Sequence, residues 1–380
     1  MSEVSGEGRN FRFYDNRQKY LMFVNTCSEK WVVAERVARE FARIEPRPPA
    51  VRFFDAGMGD GTVLSRVLRH LHRRFERHPL YVAGKEISLE DVRLTLDKMP
   101  DRFFEHPETV LAVTNLAYAE APWLRTAKAD PARPLVWHEV ALEGSTTAGF
   151  EEQILALQPF LDEHWRTETG PSGRLRPETP TVLLLYRKDC EFLLEGVIPR
   201  KGEARADFDL VLASQPYRLR ATTGFKAKSI LAPMARALGP GGRLLGIHSA
   251  GNDPGFEIVQ KVWPGEDPFT ASRRELLDAT RDALGDEAGD YEFDALSNRE
   301  ALFRYEMHTM PDEIDSKDAT IGTSTLLAAW NAATYVAQIE DDRLSQAMSN
   351  SGYLDATRTV LKKHGALWFD DESYLIVRKG

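Results

Sequence analysis

The chain is short of several things, and each shortage removes a class of answer. Cysteine occurs twice in 380 residues, at Cys27 and Cys190. Two thiols cannot make a disulfide framework or a four-thiolate zinc site. Long apolar runs are missing, and stretches such as Val182-Leu183-Leu184-Leu185 fall far below the ~20 residues that cross a bilayer. The opening from Met1 to Arg17 is polar and has no apolar segment of the secretory kind, so a reducing, cytoplasmic setting without membrane attachment is expected. Positive charge is in the minority: 49 Lys+Arg stand against 58 Asp+Glu, a formal net charge of -9. Bulk nucleic-acid binding draws most of its affinity from cationic contacts to phosphate, so nucleic acid is not the expected partner. Neither a repeat period nor a low-complexity tract stands out.

The remaining composition is ordinary, with 42% hydrophobic and 28% charged residues, as in soluble globular proteins. The length allows two or three domains or one elaborated α/β domain. Between Tyr20 and Phe41 the apolar positions predict helices broken near Cys27-Ser28, with Ser28 as a candidate cap. Pro46, Pro48 and Pro49 close that region. Strand patterns at 51–55, 80–87 and 109–114 then alternate with helix patterns at 62–75 and 88–97. Alternation of this kind implies a parallel sheet covered by helices on both faces. Further strands are predicted over 135–142, 181–186, 209–213, 243–248, 302–308 and 373–378. Helices are predicted over 150–165, 226–238, 272–284, 323–339 and 353–363, and the Gly/Pro/Ser/Thr-rich segment 169–180 reads as an exposed loop.

The sharpest feature is Asp55-Ala56-Gly57-Met58-Gly59-Asp60-Gly61, between a strand and a helix. Glycines serve where a ligand approaches the backbone or where φ must be positive, and the following helix offers unpaired N–H groups. A dinucleotide fingerprint places its third glycine where this chain has Thr62, and its acidic residue ~20 residues on, earlier than Glu86. No Gly-Lys-Ser/Thr follows, which excludes a P-loop.

At these residues the chain resembles the class I S-adenosylmethionine-dependent methyltransferases. Asp55, Gly57, Gly59 and Gly61 match that family's first motif, and Glu86 in Gly84-Lys85-Glu86-Ile87 matches the acidic end of its second strand. Asp209-Leu210-Val211-Leu212-Ala213-Ser214 matches its fourth strand, and Leu238-Gly239-Pro240-Gly241-Gly242-Arg243-Leu244 the turn before its fifth. The resemblance runs from Val51 to His248. It implies a Rossmann-like sheet, S-adenosylmethionine as cofactor, and Asp55, Gly57, Gly59, Gly61, Glu86 and Ser214 as cofactor-binding residues. Glu86 is expected to hold the ribose diol, since a carboxylate can accept two hydrogen bonds. Asn115, at the end of the third strand, is the preferred adenine contact, with the strand 135–143 as the alternative. No metal site is expected.

After the fourth strand, Ser214-Gln215-Pro216-Tyr217 is similar to the Asn/Asp/Ser-Pro-Pro-Tyr/Phe motif of amino-group methyltransferases, with Gln215 in place of the first proline. Ligands of open α/β sheets bind outside the carboxyl ends of strands, which puts this tetrapeptide at the reacting centre. Tyr217 is the candidate π face for a cation, set against a packed turn tyrosine. His248, past the fifth strand, is the candidate general base, with His138 behind it. Arg69-His70-Leu71-His72-Arg73-Arg74 reads as a solvated helix face rather than a metal pair. Leu326, Leu327, Trp330, Tyr335, Met307 and Met310 read as core, or as the lining of a lid. Tyr14, Lys19, Tyr20 and Phe23 are candidate elements of a cap over the cofactor.

The expected organisation is an N-terminal helical cap over 1–50, and a methyltransferase core over 51–265 with an insertion around 119–205. A helical lid with final strands completing the sheet follows over 266–380. The expected function is methyl transfer to a small-molecule acceptor, an amine favoured over a hydroxyl because a neutral amine needs no strong base. The rivals are a protein or RNA methyltransferase and a catalytically silent S-adenosylmethionine-binding regulatory protein. Aminopropyl transfer on the same scaffold would need an acidic polyamine site that the sequence does not display. The oligomeric state stays open, a homodimer included.

Overall fold

The structure, a computed structural model, describes residues 17–128, 130–170, 175–308 and 321–380. Tyr14 and Met310 lie outside them. Strands β1 (Val51–Asp55), β2 (Leu80–Lys85), β3 (Thr109–Thr114), β4 (Val136–Leu142), β5 (Thr167–Thr169) and β6 (Leu175–Pro177) come first. They are followed by β7 (Thr181–Arg187), β8 (Phe208–Ser214), β9 (Leu238–Ser249), β10 (Tyr291–Asp294), β11 (Leu302–Glu306) and β12 (Trp368–Arg378). β3, Thr-Val-Leu-Ala-Val-Thr, and β7, Thr-Val-Leu-Leu-Leu-Tyr-Arg, are buried at every residue. Near-continuous apolar runs are what a strand needs when helices cover both its faces.

Among the described residues ten strands form one sheet in the order β10-β12-β9-β8-β1-β2-β3-β7-β4, with β11 also paired to β12. Strands β3, β2, β1, β8 and β9 run parallel. This is the Rossmann-like α/β arrangement that the glycine turn led us to expect. The sheet is mixed rather than parallel throughout, because β12 runs antiparallel to β9 and β7 antiparallel to β3. The chain steps outward from β1 to β2 to β3, then returns to lay β8 on the other side of β1. That reversal opens a crevice beyond the ends of β1 and β8, where open α/β sheets hold ligands.

One core lies on the face carrying Phe53, Leu212, Ile247 and Leu375, and takes in Val33, Val37, Leu64, Leu68 and Trp165. A second lies on the face carrying Phe54, Val211, Leu244 and Tyr374, with Ile230, Met234 and Leu276. A third, Phe23, Cys27, Ile258, Tyr305, Trp330, Tyr335, Val360 and Phe369, joins the N-terminal helix Arg17–Thr26 to the helices Pro254–Val262, Thr323–Val336 and Gly352–His364. The N-terminal and C-terminal helices therefore share one core. The helix Glu29–Ala38 is anchored to the sheet by Arg36, which donates to Ser373 Oγ at 2.9 Å and to Glu40 at 2.7 Å. Trp330, Tyr335, Leu326 and Met307 are core here, as the sequence suggested, whereas Leu327 of the same stripe is exposed.

Several elements differ from expectation. The helix expected over 150–165 is two, Thr147–Leu155 and Gln158–His164, with Pro159 in the first turn of the second. Part of the expected 169–180 loop pairs as the hairpin β5–β6. The break at Cys27-Ser28 is present, but the Ser28 hydroxyl bonds Glu306 across β11 instead of capping its helix. β10 was not foreseen; it holds an edge of the sheet against β12. No helix among the described residues is long and apolar enough to cross a membrane.

Candidate functional site at the strand ends

The glycine turn leaves β1 directly into the crevice. Gly61 has φ +74°, and a Cβ there would meet Thr95 Oγ1 at 2.6 Å, so only glycine lets the helix Leu89–Leu96 pack against the turn. Around the Cβ position of Gly57, by contrast, nothing of the protein lies within 4 Å, which leaves room for a ligand against the backbone. Asp55 is 1% exposed, and its Oδ1 accepts from Gly57 N at 3.2 Å. Its Oδ2 is buried without a partner. Burial pushes the Asp55 carboxyl up to about 7; Glu86 adds to this, while the Gly57 N–H and Lys30 oppose it.

Glu86 sits at the end of β2 and is held by backbone donors. Its Oε2 accepts from Gly59 N at 3.0 Å, and its Oε1 from Ile87 N at 2.7 Å and Ser88 N at 2.8 Å. A carboxylate has about four acceptor positions, so little capacity beyond Oε2 remains for a ribose diol. Asp60 accepts from Tyr20 Oη at 2.8 Å and has Lys98 Nζ at 3.8 Å. Burial works against its ionised form, but Thr62, Lys30, Lys98 and Tyr20 together hold its pKa below the ordinary value. Tyr20, Lys30, Asp55, Gly57, Gly59, Asp60 and Ser214 enclose a space of about 40 Å³. Next to it a cavity of about 400 Å³ is lined by Ile87, Ser88, Leu89, Glu90, Trp165, Arg166, Thr167, Leu175 and Glu178. Glu86 stands between the two, and Trp165 Nε1 donates to its carbonyl at 2.9 Å.

The expected residues thus divide. Asp55, Gly57, Gly59, Glu86 and Ser214 converge, with Gly61 shaping the turn. Asn115 does not join them. Its amide donates to Thr179 O at 2.9 Å and accepts from Thr181 N at 2.8 Å, so it clamps the insertion to β3. The alternative adenine strand is further still: β4 lies at the far edge of the sheet, paired to β7.

Tyr217 and His248 meet each other but not the crevice. They are 6% and 4% exposed, in or beside the second core, with Tyr217 Oη 3.2 Å from His248 Nδ1. Lys226 Nζ covers the Tyr217 ring at 4.9 Å, so that π face is already taken. His248 Nε2 lies 2.7 Å from Glu372 Oε1, and Arg273 binds the same carboxylate through both its backbone N–H and its guanidinium. Burial alone would raise the Glu372 pKa, but His248 and Arg273 pull it down to about 2. The two residues expected to be catalytic form a structural network; alternation along β9 turns His248 to the second-core face, and Tyr217, in the turn after β8, packs against it there. His138 stacks on Phe160 at 4.4 Å, on β4, away from the crevice.

Sequence reasoning missed Lys30, Trp165, Tyr305 and Asp371. Lys30 Nζ is 2.9 Å from Glu29 Oε2, and although burial disfavours its charge, Glu29 and more distant acids keep its pKa raised. Nothing in a lone Glu-Lys pair on a helix marks such a placement. The run Asp370-Asp371-Glu372 ahead of an apolar strand was a usable signal, because acids inside a central strand need partners or a purpose.

No family model and no curated protein matches this chain. Solved structures similar to it include the [4+2]-cyclase SpnF, at 14% identity over 90% of this chain and 80% of that one, with a TM-score of 0.34. Another is geranyl diphosphate C-methyltransferase from Streptomyces coelicolor, solved with S-adenosyl-L-homocysteine, at 10% identity over 90% and 78%, TM-score 0.32. YjhP from E. coli matches at 11% identity over 92% of both chains, TM-score 0.33. The Rossmann-like assignment rests on the chain's own strand order and register.

Proposed function

We propose that this chain is an S-adenosylmethionine-dependent methyltransferase acting on a small-molecule acceptor, with an amine favoured. The observation that carries the reading is Asp55 Oδ2, a buried acceptor with no partner at the switch point of the sheet, directly over the glycine turn. A carboxyl oxygen there suits the ammonium of an amino-acid moiety, and the uncovered backbone at Gly57 admits it closely. Glu86 would take a ribose hydroxyl on Oε2. The 400 Å³ cavity beyond it falls within the ~300–1,000 Å³ usual for ligand sites and would take the base. Bound there, S-adenosylmethionine supplies an activated methyl group on a sulfonium. The chain's part is alignment and exclusion of water. The 40 Å³ space under Tyr20 and Lys30 is too tight for the rest of the molecule, so the cap must open to admit it.

The amine preference follows from what lines the crevice. It offers carboxylates, a lysine and a tyrosine, while both histidines once considered as bases lie elsewhere. A hydroxyl acceptor would need a strong base; a neutral amine does not. Calorimetry with S-adenosylmethionine and S-adenosylhomocysteine tests the reading. Binding is expected, weakened about 10- to 100-fold in Asp55→Ala and Glu86→Ala, as for loss of one charged hydrogen bond. Absence of binding, or affinity unchanged in both variants, overturns it. Labelled methyl from the cofactor should enter the small-molecule fraction of an extract; label in protein or RNA would move the acceptor to that class.

A further inference from the structure

We propose that Asp371 and Tyr305, buried on the cap side of the strand ends, recognise the amine of a small cationic acceptor. This rests on the methyltransferase reading above and names the acceptor chemistry of that same site. Asp371 pairs in register with Ser249 at the end of β9 and with Phe303 on β11, while Tyr305 pairs with Phe369. Paired residues share a face and neighbours alternate, so Asp371, Ser249 and Tyr305 stand on the face that also carries Asp55. Asp371 is fully buried and Tyr305 is 1% exposed. No hydrogen bond of ordinary geometry reaches either oxygen of Asp371 or the Tyr305 hydroxyl. A weak contact with the Ser249 hydroxyl, which itself accepts from Gln215 Nε2 at 3.0 Å, offsets little of the burial of Asp371. Groups left this way in a native interior are rare and costly, and each asks for an occupant.

The occupant's chemistry follows from the surroundings. Lys30, which lines the crevice with Asp55 and Ser214, is set among Glu29, Asp55, Asp60 and Asp371, with Lys98 beside Asp60. Asp253 adds to the negative field on Asp371, which burial already pushes well above the usual carboxyl range. An anion is repelled here; an amine entering as its ammonium supplies N–H donors for the orphaned oxygens and passes one proton to the Asp371 carboxylate, which frees the nitrogen lone pair for the methyl group. Tyr305 is stacked on Phe369 at 5.3 Å with Phe23 edge-on at 6.1 Å, aromatic company that also suits a cation. Among the described residues no three His, Cys, Asp or Glu side chains are placed to hold a metal ion, so an organic cation fits better.

The test uses the full chain saturated with S-adenosylhomocysteine and three probes of one skeleton: 2-phenylethylamine, 2-phenylethanol and 3-phenylpropanoate. Saturation-transfer NMR titration should show the amine binding at least ~10-fold more tightly than the alcohol, and no carboxylate binding. Asp371→Asn and Tyr305→Phe should each weaken the amine by about 10-fold while S-adenosylhomocysteine affinity stays within about twofold. Tyr305→Phe keeps the ring on Phe369 and carries the test if Asp371→Asn does not fold. No amine preference in the wild type, or amine affinity unchanged in the variants, overturns the proposal. Failure of the wild type to bind S-adenosylhomocysteine at all overturns the methyltransferase reading instead.

Discussion

Asp371 and Glu372 are neighbours on β12, equally deep, and they have opposite fates. Glu372 points to one face of the sheet, where His248, Arg273 and the Tyr217 hydroxyl complete a closed network. Asp371 points to the other face, where its two oxygens, Tyr305 Oη and Asp55 Oδ2 are buried without a hydrogen bond of ordinary geometry. Alternation of a strand put one acid into each environment. A satisfied buried acid fixes structure, and β9, β12 and the helix at Arg273 are tied by it. An unsatisfied one lowers stability and is kept where a ligand completes it. Function is accordingly read from the face with orphaned atoms, not from the face with the histidine.

That contrast can be broken most directly by removing each acid's charge at constant shape. Glu372→Gln leaves the Arg273 guanidinium buried without its counter-charge, and breaking a buried pair costs about 3–5 kcal/mol. Asp371→Asn removes an acid whose ionisation the interior resists, and should cost no stability at neutral pH and raise it if anything. Urea unfolding of the two variants gives both numbers. Equal losses would mean that Asp371 is as structural as Glu372, and the distinction between the faces would fall.

The next effect is set by pH, and the two faces should give opposite slopes. Glu372 is held near 2 in the folded chain against an ordinary 4.5, so its share of stability is present above pH 4.5 and lost as pH falls towards 2. Asp55 is raised to about 7 from an ordinary 3.8. Its share is whole below pH 3.8 and is lost as pH rises to 7. Asp55→Asn, which keeps the acceptor for Gly57, should therefore match the wild type near pH 4 and exceed it by about 2–4 kcal/mol near pH 7.5. Thermal unfolding across that range checks it; a variant whose margin over the wild type is no larger at pH 7.5 than at pH 4 would mean that Asp55 is not held under strain. Weaker S-adenosylmethionine binding should accompany the gain, as expected where stability is traded for a site.

How much of this was legible in the sequence depends on whether a residue's role is local. The glycine turn was, because Gly57, Gly59 and Gly61 answer to backbone geometry within a few residues of themselves. Glu86 was, because a strand end and the next helix fix it. The sheet was, because β1, β2, β3 and β8 carry their own apolar patterns. His248 was misplaced because its role depends on which face of β9 it occupies, and Tyr217 because the turn after β8 carries its ring to that same face. Asn115 was misplaced because its amide is taken by Thr179 and Thr181, more than sixty residues away. Lys30, Tyr305 and Asp371 come together from the cap, β11 and β12, and no spacing along the chain links them.

The smallest effect concerns the contact that closes the open face. Tyr20 Oη donates to Asp60 Oδ1 at 2.8 Å, and its ring lies 5.9 Å from that of Tyr335, so this one residue ties the cap helix to both the glycine turn and the lid. Tyr20→Phe keeps the ring packing and removes the bond. A hydrogen bond to a charged group is worth about 1.5–3 kcal/mol when buried and less in this half-buried setting, so a loss of about 1 kcal/mol is expected. If cap opening limits entry to the 40 Å³ space beneath, that energy appears in the barrier. Stopped-flow association of S-adenosylmethionine should then be about fivefold faster in Tyr20→Phe. An unchanged association rate with faster dissociation would place the bond in the closed complex instead, and Tyr20 would belong with the locked face rather than the open one.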